Sequence, residues 1–161
     1  MSNPLPDPTQ SWRNTHLGHW LRLALERFDT RVMECMAQHP SVPLGLSNLA
    51  ARGQVGAAHT HITRHLPSEG ARLTDLAQTA GMTKQAMGAL VTQCEAWGMV
   101  RRENDPVDAR AKRVVFTESG RAWLTAYKDA LAQAESELRA AIGDEVATVV
   151  ALGLEAYASQ T

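Results

Sequence analysis

Two helix-like patterns separated by a single glycine run from Leu73 to Val100, LTDLAQTAGMTKQAMGALVTQCEAWGMV. Leu73, Leu76 and Ala77 mark a short helix that stops near Gly81. Thr83 supplies the side-chain oxygen that a helix N-terminus needs. Met82 and Met87 occupy the N′ and N4 positions of the next helix, the spacing of a hydrophobic staple. Gly98 stands where a C′ glycine would close it. On this second helix Met87, Leu90, Val91 and Cys94 share a face. That leaves Gln85, Gly88, Ala89 and Thr92 on the other. A short helix, a glycine turn and a capped second helix make a helix-turn-helix. Its outward face is too small and too uncharged to be an ordinary solvent face.

The flanking patterns set the fold class. Three prolines in the first ten residues, Pro4, Pro6 and Pro8, read as a flexible arm over residues 1–10. From about Ser11 to Gln38, Leu17, Leu21, Ala24, Leu25, Phe28 and Val32 recur at helical spacing, and Pro40 and Pro43 end that helix. A further helix is expected from Ser47 to Leu66, with Val55, Ala58, Ile62 and Leu66 as its apolar stripe. After Gly98, the runs MVRRE and RVVFT flank the turn-rich NDPVDARAK, so a β-hairpin follows the second helix. From Thr117 a long helix carries Leu124, Tyr127, Leu131, Ala134, Leu138 and Ala141 in alternating steps of three and four, a seam made for another helix. Gly143 breaks it, and a last helix over about Glu145 to Tyr157 carries Val146, Val149 and Val150. The expected architecture is mostly α. A winged helix-turn-helix over residues 47–117 lies between dimerisation helices over 11–46 and 118–161.

Composition narrows the function classes. The 161 residues allow one domain with a core. The apolar runs are too short for a membrane span. The polar, proline-rich start lacks a signal-peptide layout. Two cysteines make no disulfide scaffold. The expected location is the cytoplasm, with no membrane partner. Net charge is −1, but it is unevenly spread. Residues 60–113 carry 8 Lys/Arg against 6 Asp/Glu, and residues 118–161 carry 3 against 7. A mildly basic centre permits a nucleic-acid reader. There is no GxGxxG, no P-loop lysine motif and no nucleophile elbow, so no enzyme is expected.

The hairpin gives the small helix face a use. A winged helix-turn-helix offers its second helix to the DNA major groove, N-terminal end first. Gly88 and Ala89 let it approach base edges closely. Gln85 can pair with adenine, and the methyl groups of Ala89 and Thr92 can touch a thymine methyl. Lys84, near the helix start, suits a phosphate, as do the free backbone N–H groups there. Beyond the turn, Arg110 and Lys112 flank the wing tip, and an arginine there can enter a narrow minor groove. Asp108 is placed to orient the Arg110 guanidinium. The competing reading is a helix pair in an all-α core with a solvated charge run on a turn.

The chain resembles the MarR family of bacterial transcription regulators over Leu73 to Leu124, in AGMTKQAM, GMVRR, DPVDARAK and FTESGR. The resemblance implies a homodimer built from the first helix and the last two. It implies repression at a near-palindromic double-stranded operator and release by a small-molecule effector. By position it assigns base reading to Thr83–Ala89 and the wing tip to Asp108–Arg110. A dimer also has independent footing, because one recognition helix reads too few bases to find a single genomic site.

The resemblance also implies a pocket for aromatic or phenolic acids between the dimer helices and the winged core, so the expected effector is a small aromatic or phenolic acid, with Trp20 stacking on its ring and His16 or His59 meeting its polar group. No cofactor is expected, and no resident metal. His61 and His65, four apart, could share an ion with a ligand from elsewhere. His59 projects to the opposite shoulder of the stripe. Cys35 and Cys94 both project onto apolar faces, unlike the exposed, activated thiol of a redox sensor. The lesser alternatives are therefore a metal- or redox-sensing regulator of the same fold, and a winged-helix module that contacts protein without reading DNA.

Overall fold

A computed structural model of the chain describes residues 12–55, 62–108 and 110–160. The N-terminal arm, Ala58, His59 and His61 lie outside the described residues. Helix α1 (Trp12–Thr15) leads into α2 (Leu17–Gln38), and α3 (Leu44–Ala51) follows. After α4 (62–65) come β1 (Ala71–Arg72), α5 (Leu73–Thr79), α6 (Lys84–Ala96), β2 (Val100–Asn104) and β3 (Lys112–Phe116). The long α7 (Glu118–Ile142) and α8 (Asp144–Ala158) complete the chain. The three strands form one antiparallel sheet in the order β1-β3-β2. The fold is therefore a mostly helical winged helix-turn-helix between N- and C-terminal helices.

Two expected helices are each interrupted. The first breaks at His16, whose Nδ1 accepts the His19 N–H at 3.1 Å and so caps α2. An imidazole is an uncommon cap, and the apolar periodicity runs through it unaltered. The helix expected over 47–66 is not continuous either. It starts earlier, at Leu44, and α3 stops at Ala51. Gly53 takes φ +64. Its N–H meets Ala50 O, and the Gln54 N–H meets Leu49 O, the paired bonds that close a helix through a left-handed residue. The same bond pattern with Gly81 at φ +64 ends α5 and makes the sharp turn into α6. Because α3 spans residues 46 and 47, a division of the chain there falls inside a helix.

One continuous core joins stem and wing. Met87, Val91 and Cys94 of α6 are fully buried, as are Val100, Phe116 and Trp123. Val32 and Met36 of α2 bury together with Ala130 and Ala134 of α7. Much of the α7 seam is therefore spent within the chain, against α2. Arg31 fixes this pairing. Its Nε and Nη2 donate to the two Glu137 oxygens at 2.6 and 2.9 Å. The Arg31 guanidinium, helped by Gln133, holds the Glu137 carboxyl down at about 2. The bridge therefore persists until the pH falls toward that value.

Gly120 is where α7 meets the wing. It is buried in the first turn of α7, below the Thr117 cap. A Cβ built on it would lie 1.9 Å from Met99 O. The Thr117 N–H donates to that same carbonyl at 3.0 Å, and the Thr117 hydroxyl accepts from Gly120 N–H at 3.0 Å. Only a residue with no side chain lets α7 start this close to the root of β2.

Candidate nucleic-acid interface

The exposed face of α6 is set by its caps and by its core residues. Thr83 Oγ1 accepts the Ala86 N–H at 3.2 Å, which fixes where the helix starts. With Met87, Val91 and Cys94 turned inward, Lys84, Gln85, Ala89 and Thr92 are exposed on the outer side. Ala86 and Gln93 are exposed as well, and the apolar pattern alone did not single them out. Gly88 sits differently. It is half-buried, and a Cβ there would rest 3.6 Å from Leu73 Cδ2. That is an ordinary contact with a side-chain end, so the packing of α5 on α6 would also admit alanine there.

The wing root is tied to this helix. Thr92 Oγ1 donates to Gly88 O at 2.9 Å and accepts from Arg102 Nη2 at 3.0 Å. Arg102 also pairs with Glu95. Next to it, Glu103 takes both Arg101 and Arg113, which hold its carboxyl below the usual range, Arg113 foremost. Lys112 Nζ donates to Asn104 Oδ1 across the hairpin. Three of the wing's arginines are thus already paired. Among the described residues, Lys84 and Arg110 have no ion-pair partner within 4.0 Å.

The expected Asp108–Arg110 ion pair does not form. Asp108 Oδ1 accepts the Arg110 backbone N–H at 3.1 Å. Its other oxygen lies 3.8 Å from Arg72 Nη2. A carboxylate two residues upstream reaches a backbone amide more readily than a guanidinium at the end of a long chain. The apolar pattern gives no signal for Arg72, because its partners, Asp105 and Asp108, are more than thirty residues away in the chain and only the pairing of β1 with β3 brings them close.

The expected effector residues lie on the stem. His16 caps α2, and Trp20 is 57% exposed with its ring edge-on to His19 at 5.1 Å. His59 is outside the described residues. Two shallow depressions lie elsewhere on the stem, one beside Glu135, Arg139 and Asp144, the other beside Arg31, Cys35 and His39. Among the described residues, no three His, Cys, Asp or Glu side chains gather as a metal site. No described helix is long and apolar enough to cross a membrane.

The two thiols differ in access. Cys94 is fully buried, and burial pushes its thiol up to about 12. Cys35 is only half-buried. A thiol reagent at pH 8 is expected to modify Cys35 in the folded protein and Cys94 only in denaturant. Equal rates for both in the native state would overturn the packing described for α6.

Residues 60–111 match the model of the MarR family. No curated relative matches the chain in sequence. Among solved structures, the CouR transcriptional repressor bound to a 23-mer DNA duplex is similar at a TM-score of 0.64 and 21% identity, over 94% of this chain and 99% of that one. CouR from Rhodococcus jostii RHA1 bound to p-coumaroyl-CoA is similar at 0.57 and 21%, over 91% and 97%. BpsR of Bordetella bronchiseptica, whose DNA binding is regulated by 6-hydroxynicotinic acid, is similar at 0.60 and 19%, over 92% and 96%.

Proposed function

Because residues 60–111 match the MarR family model, we propose that the chain is a homodimeric repressor of that family that binds a near-palindromic operator and is released by a small aromatic acid. Proteins of this family regulate transcription by binding DNA and are not enzymes. The observation that carries the reading is the exposed face of α6. It is capped at its start by Thr83 and smooth through Gln85, Ala89 and Thr92, and Arg110, without an ion-pair partner among the described residues, stands on the adjoining wing. Such a helix fits a major groove, and such an arginine fits the minor groove beside it. The effector class follows the aromatic ligands named for CouR and BpsR and the exposed Trp20, whose ring meets His19 as that of His16 does.

A second reading has its own support. Arg101, Arg102 and Arg113 are bound to glutamates, which lowers the basic field of the wing and suits a module that docks on protein. Salt titration of duplex binding separates the two. The repressor reading expects affinity to fall steeply with salt and an operator preference of at least about a thousandfold over random duplex. In the same assay Gln85→Ala relaxes preference at one base pair per half-site by about 1–3 kcal/mol. Flat, sequence-blind binding supports the protein-docking module. Thermal stabilisation of the dimer by aromatic acids, about 2.7 kcal/mol at a hundredfold excess over the dissociation constant, tests the effector class.

A further inference from the structure

The tip of the wing is acidic where it should meet phosphate. Asp105 and Asp108 stand there against Arg110, and a second guanidinium reaches in from β1. Arg72 Nε donates to Asp105 Oδ2 at 2.7 Å, and its Nη2 lies 3.8 Å from Asp108 Oδ2. The Asp105 side chain is 10% exposed, so it is held rather than solvated. Its other oxygen accepts the N–H groups of Val107 at 2.8 Å and Asp108 at 3.3 Å, and these bonds shape the turn. Asp108 in turn accepts the Arg110 N–H, and the Ala111 N–H donates to Asp108 O at 2.8 Å. A single chain of bonds thus runs from Arg72 through both aspartates to the backbone of Arg110. Opposite Arg72 on β3, Arg113 is drawn away by Glu103 and does not compete for Asp105.

We propose that Arg72 is the positioning residue of the wing, spanning Asp105 and Asp108 so that Arg110 is presented to the duplex; this rests on the reading of the chain as a DNA binder. The forked guanidinium orders the turn, which a point charge does less well. The Arg72 hydrogen bond, with the Val107 amide second, holds the Asp105 carboxyl below its ordinary range, so Asp105 stays ionised and paired near neutral pH. Arg72 immediately precedes the first residue of α5. The same residue therefore sets the wing relative to the helix-turn-helix.

A double-mutant cycle on operator affinity tests this, with wild type, Arg72→Ala, Arg110→Ala and the double variant at fixed salt. Each single variant is expected to lose about tenfold, or ~1.4 kcal/mol. The double variant is expected to lose little more than either alone, because Arg72 acts through Arg110. The thermal midpoint should hold, while backbone ¹⁵N order parameters fall at Val107 and Asp108 in Arg72→Ala. Additive losses, a lowered midpoint accounting for the affinity change, or unaltered order at Val107 and Asp108 would each overturn the proposal. If the wild type itself shows no salt-dependent, sequence-selective binding, the DNA reading fails first. The order parameters then still report whether Arg72 shapes the tip.

Discussion

Gly120→Ala is expected to destabilise the protein by at least about 3 kcal/mol, the upper end of ordinary overpacking. The added Cβ would lie 1.9 Å from Met99 O and 3.0 Å from Phe116 Cδ1. The first contact is with backbone and cannot be relieved by a rotamer change. Either α7 or the root of β2 must move by more than 1 Å. That movement strains the Thr117 bonds to Met99 O and to Gly120 N–H. For a chain of this length each kcal/mol lowers the midpoint by about 2–4 °C, so a fall of roughly 6–12 °C is expected at fixed protein concentration. Gly45→Ala is the control. Gly45 is exposed in α3 and a Cβ there meets nothing within 4 Å, so alanine should stabilise by up to about 1 kcal/mol. A Gly120→Ala midpoint equal to wild type would mean that α7 does not start against the wing as described.

Where signals were local, the sequence was legible. The Thr83 cap, the apolar face of α6 and the hairpin were read from residues at most a few positions apart, and each stands as expected. The breaks at His16 and Gly53 were missed for a local reason of another kind. The apolar period continues across both, and one capping histidine or one glycine in ARGQ does not interrupt it. The non-local features were harder still. A two-residue strand such as Ala71–Arg72 has no periodicity to detect. Its pairing with β3 nonetheless delivers Arg72 to the wing tip. Gly88 turns toward Leu73 because α5 crosses α6 there, a packing that a helical projection does not contain. The α7 seam was recognisable as a seam, but which helix fills it depends on tertiary placement. In the single chain α2 fills much of it, and that shifts the question of pairing to α8.

Val149→Asp on α8 is expected to convert the proposed dimer to monomers and to weaken operator binding by about 100-fold or more. Val146, Val149, Val150, Leu154 and Tyr157 recur at helical spacing on α8 and are 42–75% exposed. Of α8, only Ala147 is buried within the chain. At the other terminus Trp12, Leu17 and Trp20 are 57–74% exposed. An isolated surface valine means little, but an aligned stripe of this length marks a surface that another molecule covers. A second copy fits, because two recognition helices are needed to read a palindrome about 34 Å apart per half-site. Val149, 70% exposed, makes so little contact inside the chain that a charge there should leave the monomer folded. Placed in a self-complementary interface, the same charge faces its own copy or apolar neighbours, and each two-fold contact suffers twice. Sedimentation and circular dichroism separate the outcomes. A folded monomer with weakened binding at every operator places dimerisation on α8. A variant that remains dimeric with unchanged affinity would move the interface elsewhere and leave the α8 stripe without this role.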